Sequence, residues 1–279
     1  MLAANQLVDS IRTFRRVAVA LSGGVDSAVV AKAAHLALGS DAVAITADSP
    51  SVTRRDLTEA RRVAEFIGIR HVVIGTDEFS KPDYTRNDGR RCYHCKSELY
   101  DRILELRSQL GFDVICSGAN QDDLGDYRPG LQAAAERGVR HPLQEAGFGK
   151  SVVRQLANLW SLPVRDKPAS PCLSSRIAPG VAVTMERTAR IEAAETILRD
   201  LGIADCRVRL HDGELARIEV PLEAIAALAA PDLRRRLCEQ MRGLGFRFIT
   251  LDLEGLRSGS LNELIDVTIR NDYLPRGGP

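Results

Sequence analysis

No stretch of this 279-residue chain approaches the roughly 20 consecutive apolar residues that a membrane-spanning helix needs. The opening stretch, MLAANQLVDSIRTFRR, reads as an amphipathic helix with a basic end. It lacks the long apolar centre and small-residue cleavage site of a secretory signal, so a cytoplasmic protein with no membrane partner is expected. An excess of one charge is missing too: 38 Lys+Arg against 37 Asp+Glu leave +1 with histidine neutral. That argues against a surface built wholly around nucleic acid, and no nucleic-acid partner is expected, although local basic patches stay possible. Cysteine is sparse, six in all, which excludes a disulfide scaffold at this length. What remains is ordinary globular composition, 44% hydrophobic and 27% charged, long enough for one large core or two modest ones.

Residues 16–21 (RVAVAL) form a short apolar run ended by Ser22-Gly23-Gly24, the pattern of a buried strand and a turn. Residues 27–38 follow with helical spacing and stop at Gly39. The alternation repeats: strand 42–46, arginine-rich helix 53–66 closed by Gly68, strand 71–74, helix 97–110, strand 113–116. Such alternation predicts an α/β fold, a parallel sheet with helices on both faces. We place this first domain at residues 1–165. The stretch 162–180, LPVRDKPASPCLSSRIAPG, has four prolines, three serines and no period, so it reads as a loop. Beyond it come helix 184–201, a hairpin of strands 206–210 and 215–220 about Asp212-Gly213, helix 231–242 and strand 246–251. This predicts a small α+β domain over residues 166–279, including the Cys172 loop.

Ser22-Gly23-Gly24-Val25-Asp26-Ser27 stands between the first strand and the first helix. There the free N–H groups and dipole of the helix face outward and suit an anion. The glycines allow close approach to phosphate oxygens, and the serine hydroxyls add donors. Asp26 makes sense if a metal ion such as Mg2+ bridges it to the phosphates. The plainer reading is a tight capped turn; the full hexapeptide in this context favours nucleotide phosphate. It is not a Walker A loop, because the G-x-x-x-x-G-K-[ST] spacing is absent. It resembles the PP-loop of the ATP pyrophosphatases, which split ATP between the α- and β-phosphates. The resemblance puts pyrophosphate at Ser22, Gly23, Gly24, Asp26 and Ser27, and adenosine at Ala20, Leu21 and Thr46-Ala47-Asp48. A second strand-end loop, Ser117-Gly118-Ala119-Asn120-Gln121-Asp122-Asp123, suits ribose, metal or acceptor contacts, or is simply solvated.

Cys92 and Cys95 form a C-x-x-C within Arg91–Lys96, close enough for one metal or cluster, or for a redox pair. Cys172 lies in the anomalous loop among Lys167, Arg176 and small residues, where cations would favour the thiolate. Cys116, Cys206 and Cys238 read as small buried hydrophobes.

The set SGGVDS, RCYHCK, SGANQDDLGDYRPG, DKPASPCLSSRI and RVRLHDGELARIEV, in order from about residue 15 to 220, resembles the LarE family. These are ATP-dependent sulfur transferases serving the nickel-pincer cofactor of lactate racemase. The resemblance implies adenylation of a carboxylate of pyridinium-3,5-biscarboxylic acid mononucleotide, then attack by a protein-held sulfur to give the thiocarboxylate. It implies catalytic roles for Asp26 and Cys172, with ATP and Mg2+ as cofactors. Family members with one cysteine give up its sulfur; others hold a [4Fe-4S] cluster on three. Cys92, Cys95 and Cys172 favour the cluster form here, against a structural zinc on the same thiols and His94. Arg207 and Arg209 alternate on a strand and, with Arg176 and Glu195, would make a pocket for the substrate's phosphate. The plainer alternative is arginines paired with nearby acids. The arginine runs 54–55, 61–62 and 234–236 read as solvated helix faces or subunit contacts. The family also suggests a homo-oligomer, possibly a hexamer. The rival readings are a tRNA thiolase of the same superfamily, which would need a basic track for RNA, and a non-catalytic ATP sensor, which would leave Cys172 without a role.

Overall fold

The computed structural model describes residues 1–125, 128–168, 170–257 and 259–272. Tertiary contacts divide the described residues into two compact units: 1–78 and 92–170 with 270–272, and 79–91 and 171–269.

In the first unit, strands β1 (Val17–Ala20), β2 (Ala42–Asp48), β3 (Arg70–Gly75) and β4 (Val114–Cys116) form a parallel sheet in the order β3-β2-β1-β4. Val17 and Val19 look to one face and Ala18 to the other, as the period of two requires. The first face is covered by helices α1 (Leu2–Arg12), α2 (Val25–Leu38) and α3 (Arg54–Ile67) and by the helix Lys150–Leu159. Ala18, Val43, Ile45 and Ile115 pack on the other face with Tyr100 and Ile103 of the helix Arg91–Glu105 and Ala134 of the helix Pro129–Glu136. Burial on both faces explains the nearly unbroken apolar runs of these strands. Strand order reverses between β1 and β4, and ligands of open α/β sheets bind beyond the carboxyl ends of the strands at such a reversal.

One sequence boundary shifts. The helix expected from residue 97 begins at Arg91, which puts Cys92 and Cys95 on its first turn; a break at Leu106 then starts a separate short turn, Arg107–Leu110.

The second unit holds a sheet in the order β5-β6-β7: β5 (Arg207–His211) and β6 (Leu215–Glu219) antiparallel, β7 (Phe248–Leu251) parallel to β6. Helices Met185–Asp200, Leu222–Ala229 and Pro231–Gly243 accompany it. Residues 79–91 belong here through buried polar ties. Asn87 donates to the carbonyls of Ile177 (3.3 Å), Ala178 (2.8 Å) and Val181 (2.9 Å), and Tyr84 Oη lies 2.7 Å from Ser174 Oγ. Among the described residues no helix is long and apolar enough to cross a membrane. The three arginine runs are exposed, as solvated faces require.

Candidate active site

The loop from Ser22 to Ser27 closes on itself. Ser27 Oγ donates to the Gly24 carbonyl (3.1 Å) and accepts from Ser22 N–H (3.2 Å), with Ser22 Oγ 3.1 Å away. The Ser27 hydroxyl therefore shapes the turn, and its proton is spent inside the loop. Gly23 is left-handed (φ 73°), and a Cβ there would meet the Asp56 carbonyl at 2.9 Å and Ala60 N at 3.1 Å. Only glycine fits both the conformation and the contact. No side chain caps α2, so its first-turn N–H groups face outward, the arrangement that accepts a phosphate.

The loop after β4 presses on the same turn. A Cβ on Gly118 would lie 2.6 Å from Ser27 N and 2.8 Å from Ser27 Cα. Asn120, fully buried, donates to Asp26 Oδ1 at 3.0 Å. Two lysines complete the surroundings, and neither was singled out for the loop from the sequence. Lys150 Nζ sits 2.5 Å from Asp26 Oδ2. Lys167 Nζ donates to the Gly23 carbonyl (2.9 Å) and to Asp56 Oδ1 (2.8 Å). Asp56 in turn closes the N-terminal cap of α3: Thr53 Oγ1 accepts from its N–H (2.9 Å) and donates to its Oδ2 (2.7 Å).

Ala20 ends β1 half-buried. Thr46 is buried, and its hydroxyl donates to the Leu21 carbonyl (2.7 Å) while lying 2.8 Å from His71 Nε2. The hydroxyl's one proton being committed, His71 must be the donor, with its proton on Nε2. Burial, and then Arg61, lower the His71 pKa. Thr46 thus holds the strand ends in register and has no spare proton for a ligand.

In the second unit Cys172, half-buried, precedes the short 3-10 turn Leu173–Arg176. Buried Arg176 pairs with Glu195 (2.9 Å) and donates to the backbone carbonyls of Pro171 and of Cys172 (3.1 Å). Arg209 Nη1 donates to the Ser175 carbonyl (3.0 Å), and its Nη2 pairs with Glu219 (2.9 Å). Both arginines therefore hold the cysteine turn by its carbonyls. The cations expected to draw out the thiolate have other partners: Arg176 these carbonyls and Glu195, Lys167 the phosphate loop. Glu195 also takes Arg199 (3.0 Å) and the Val208 N–H (3.3 Å). Arg207 differs: among the described residues it has no carboxylate partner, and its Nη1 donates to the Arg257 carbonyl (3.0 Å). Burial, and after it repulsion from Arg209 and Arg176, lower its pKa, the mark of guanidinium groups crowded together.

Cys92 is exposed and Cys95 half-buried. Among the described residues no three or more His, Cys, Asp or Glu side chains are gathered to hold a metal ion. Burial pushes the thiols of Cys116 and Cys206 up to about 12, as inert core residues require. Cys238, expected in the core, is half-buried instead, because it lies beside the buried stripe of Leu237 and Met241 on its helix.

A parallel sheet with a Ser-Gly-Gly-x-Asp-Ser turn at its reversal point defines an ATP-binding PP-loop protein. Residues 4–86 match the asparagine synthase family. The chain is 38% identical over 260 residues to the pyridinium-3,5-bisthiocarboxylic acid mononucleotide synthase of Lactiplantibacillus plantarum, covering 93% of each. It is 48% identical over 250 residues to an uncharacterized protein, slr1717, of Synechocystis, covering 90% of this chain and 93% of that one. A tRNA-specific 2-thiouridylase of a Wolbachia from Brugia malayi is 28% identical over 205 residues, 59% of this chain and 54% of that protein. The chain belongs to the LarE family of sulfurtransferase enzymes.

Proposed function

We propose that this enzyme adenylates a carboxylate of pyridinium-3,5-biscarboxylic acid mononucleotide and transfers sulfur to it through Cys172. The observation that carries the reading is the phosphate loop itself: an uncapped helix start, a left-handed Gly23 and an Asp26 carboxylate at the carboxyl edge of the sheet. A carboxylate is a poor electrophile, and joining it to AMP supplies a leaving group; a sulfur nucleophile then displaces AMP. One carboxylate suits Mg2+, which binds through one or two carboxylates plus substrate phosphates. Asp26 would hold that ion, and it would neutralise charge on the phosphates. Arg207 would take the mononucleotide's phosphate, while Arg176, Arg209 and Glu195 keep the Cys172 turn in place.

The sulfur would come either from Cys172 itself or from a [4Fe-4S] cluster held by Cys92, Cys95 and Cys172. Anaerobic iron and acid-labile sulfide analysis decides between the two sulfur sources. About four irons per chain would mark a cluster on Cys92, Cys95 and Cys172; loss of one hydrogen sulfide from the intact mass after turnover marks sacrifice of Cys172. The test of the whole reading is release of AMP and pyrophosphate on adding ATP and the biscarboxylate mononucleotide. No release would dismiss it and leave an ATP-binding sensor. The likeness to a 2-thiouridylase keeps RNA as a second acceptor: tight, salt-sensitive binding of bulk tRNA in a gel shift would favour it.

A further inference from the structure

Lys150 occupies the first position of the helix Lys150–Leu159, which has no acid in its first turn. A cation there opposes the helix dipole, and a sequence that breaks a local rule does so where function asks for it. The backbone of Lys150 is pinned: its N–H donates to Asp122 Oδ2 at 2.8 Å, and the preceding Gly149 lies so close that a Cβ would meet the Asp122 carboxylate at 2.8 Å. The side chain reaches across to Asp26 Oδ2 (2.5 Å), whose other oxygen accepts from Asn120. The ion pair is partly open to water, 43% exposed at Lys150 and 21% at Asp26, so it is readily exchanged.

We infer that Lys150 is a positioning residue that stands in for the divalent cation on Asp26 and moves to the nucleotide's phosphates when metal and ATP arrive together. This rests on reading residues 22–27 as a nucleotide loop. An ammonium and a divalent cation cannot share one carboxylate oxygen without repulsion, so metal on Asp26 displaces Lys150. The negative charge then nearest is the triphosphate at the start of α2, where Asp26 is the second residue. The ammonium carries three donors, one of them now on Asp26. The exchange keeps the empty loop neutral at Asp26 and adds a positive charge when the polyanion binds.

The experiment compares wild type with Lys150→Met, Lys150→Arg and Asp26→Asn in two binding measurements that need no turnover. Manganese paramagnetic resonance without nucleotide should show Lys150→Met binding Mn2+ about fivefold more tightly than wild type, with the gain absent once Asp26→Asn is combined with it. Calorimetry with α,β-methylene-ATP and Mg2+ should show the same variant about tenfold weaker, and Lys150→Arg close to wild type. Unchanged Mn2+ affinity in Lys150→Met, or undiminished affinity for the analogue, overturns the inference while leaving the nucleotide loop standing. Failure of the wild type to bind the analogue overturns the loop reading and the inference with it. Neither measurement involves the carboxylate acceptor or sulfur, so neither bears on those assignments.

Discussion

Asp26, at the phosphate turn of the first unit, and Cys172, the proposed sulfur carrier in the second, can each be removed separately. Cys172→Ala is expected to abolish thiocarboxylate formation while pyrophosphate exchange into ATP continues, since the loop at Asp26 is untouched; normal product yield from this variant would remove Cys172 as the sulfur carrier. Asp26→Asn keeps the shape and the contact with Asn120 but loses the charge. Adenylation, followed by pyrophosphate release, should slow by at least about a hundredfold, as for other groups that stabilise transition-state charge. The melting temperature should barely move, because the pair with Lys150 is half-solvated and such pairs contribute at most about 1 kcal/mol. Unchanged pyrophosphate release would take Asp26 out of the site. Both residues were legible in the sequence because a nucleophile in a Pro/Ser-rich loop and an acid in a glycine turn are out of place locally. Lys150 and Lys167 were not, since a lysine at a helix start and another in a loop acquire meaning only from the carboxylates 124 and 111 positions away that they meet.

At the level of elements, the site is a meeting of three turns. The turn after β1 makes the loop, α3 seals it from behind at Gly23, and the turn after β4 presses on Ser27 through Gly118. Gly118→Ala is expected to cost about 1–3 kcal/mol, as overpacking does, because the new methyl meets backbone atoms. Denaturant titration measures it, and affinity for an ATP analogue should fall in parallel as the start of α2 is displaced. A variant of wild-type stability and affinity would refute the close packing. The alternation of strands and helices followed from apolar periodicity. The true start of the helix at Arg91 did not, because residues 91–96 offer no apolar stripe to signal it; packing of Tyr100 and Ile103 farther along fixes that helix against the sheet.

Across the whole molecule, His71, His141 and His211 have pKa values lowered chiefly by burial. Each takes up a proton at lower pH in the fold than in the unfolded chain, where it does so near pH 6.5. The unfolded state therefore binds more protons below that pH, and stability present above about 6.5 is lost as pH falls through the unfolded value toward the folded ones. Thermal melts should shift downward between pH 7.5 and 5.5, before the carboxylates titrate. Replacing His141 by Gln, which preserves a partner for Ser117, should lessen the shift. A melting temperature constant over that range would mean the histidines titrate alike in both states.

The sequence alone determined that a parallel sheet would form, that its first crossover would carry a phosphate turn, and that Cys172 would stand outside any core. Each follows from local chemistry: apolar period, glycine freedom, and polarity between neighbours along the chain. Tertiary structure decided how the charges pair. It placed Lys150 on Asp26 and Lys167 on Gly23, turned Arg176 and Arg209 toward the carbonyls of the cysteine turn, gave Arg207 the Arg257 carbonyl, and drew residues 79–91 into the second unit. Electrostatic partners are chosen by distance in space, and a chain order that separates them by a hundred residues carries no trace of it.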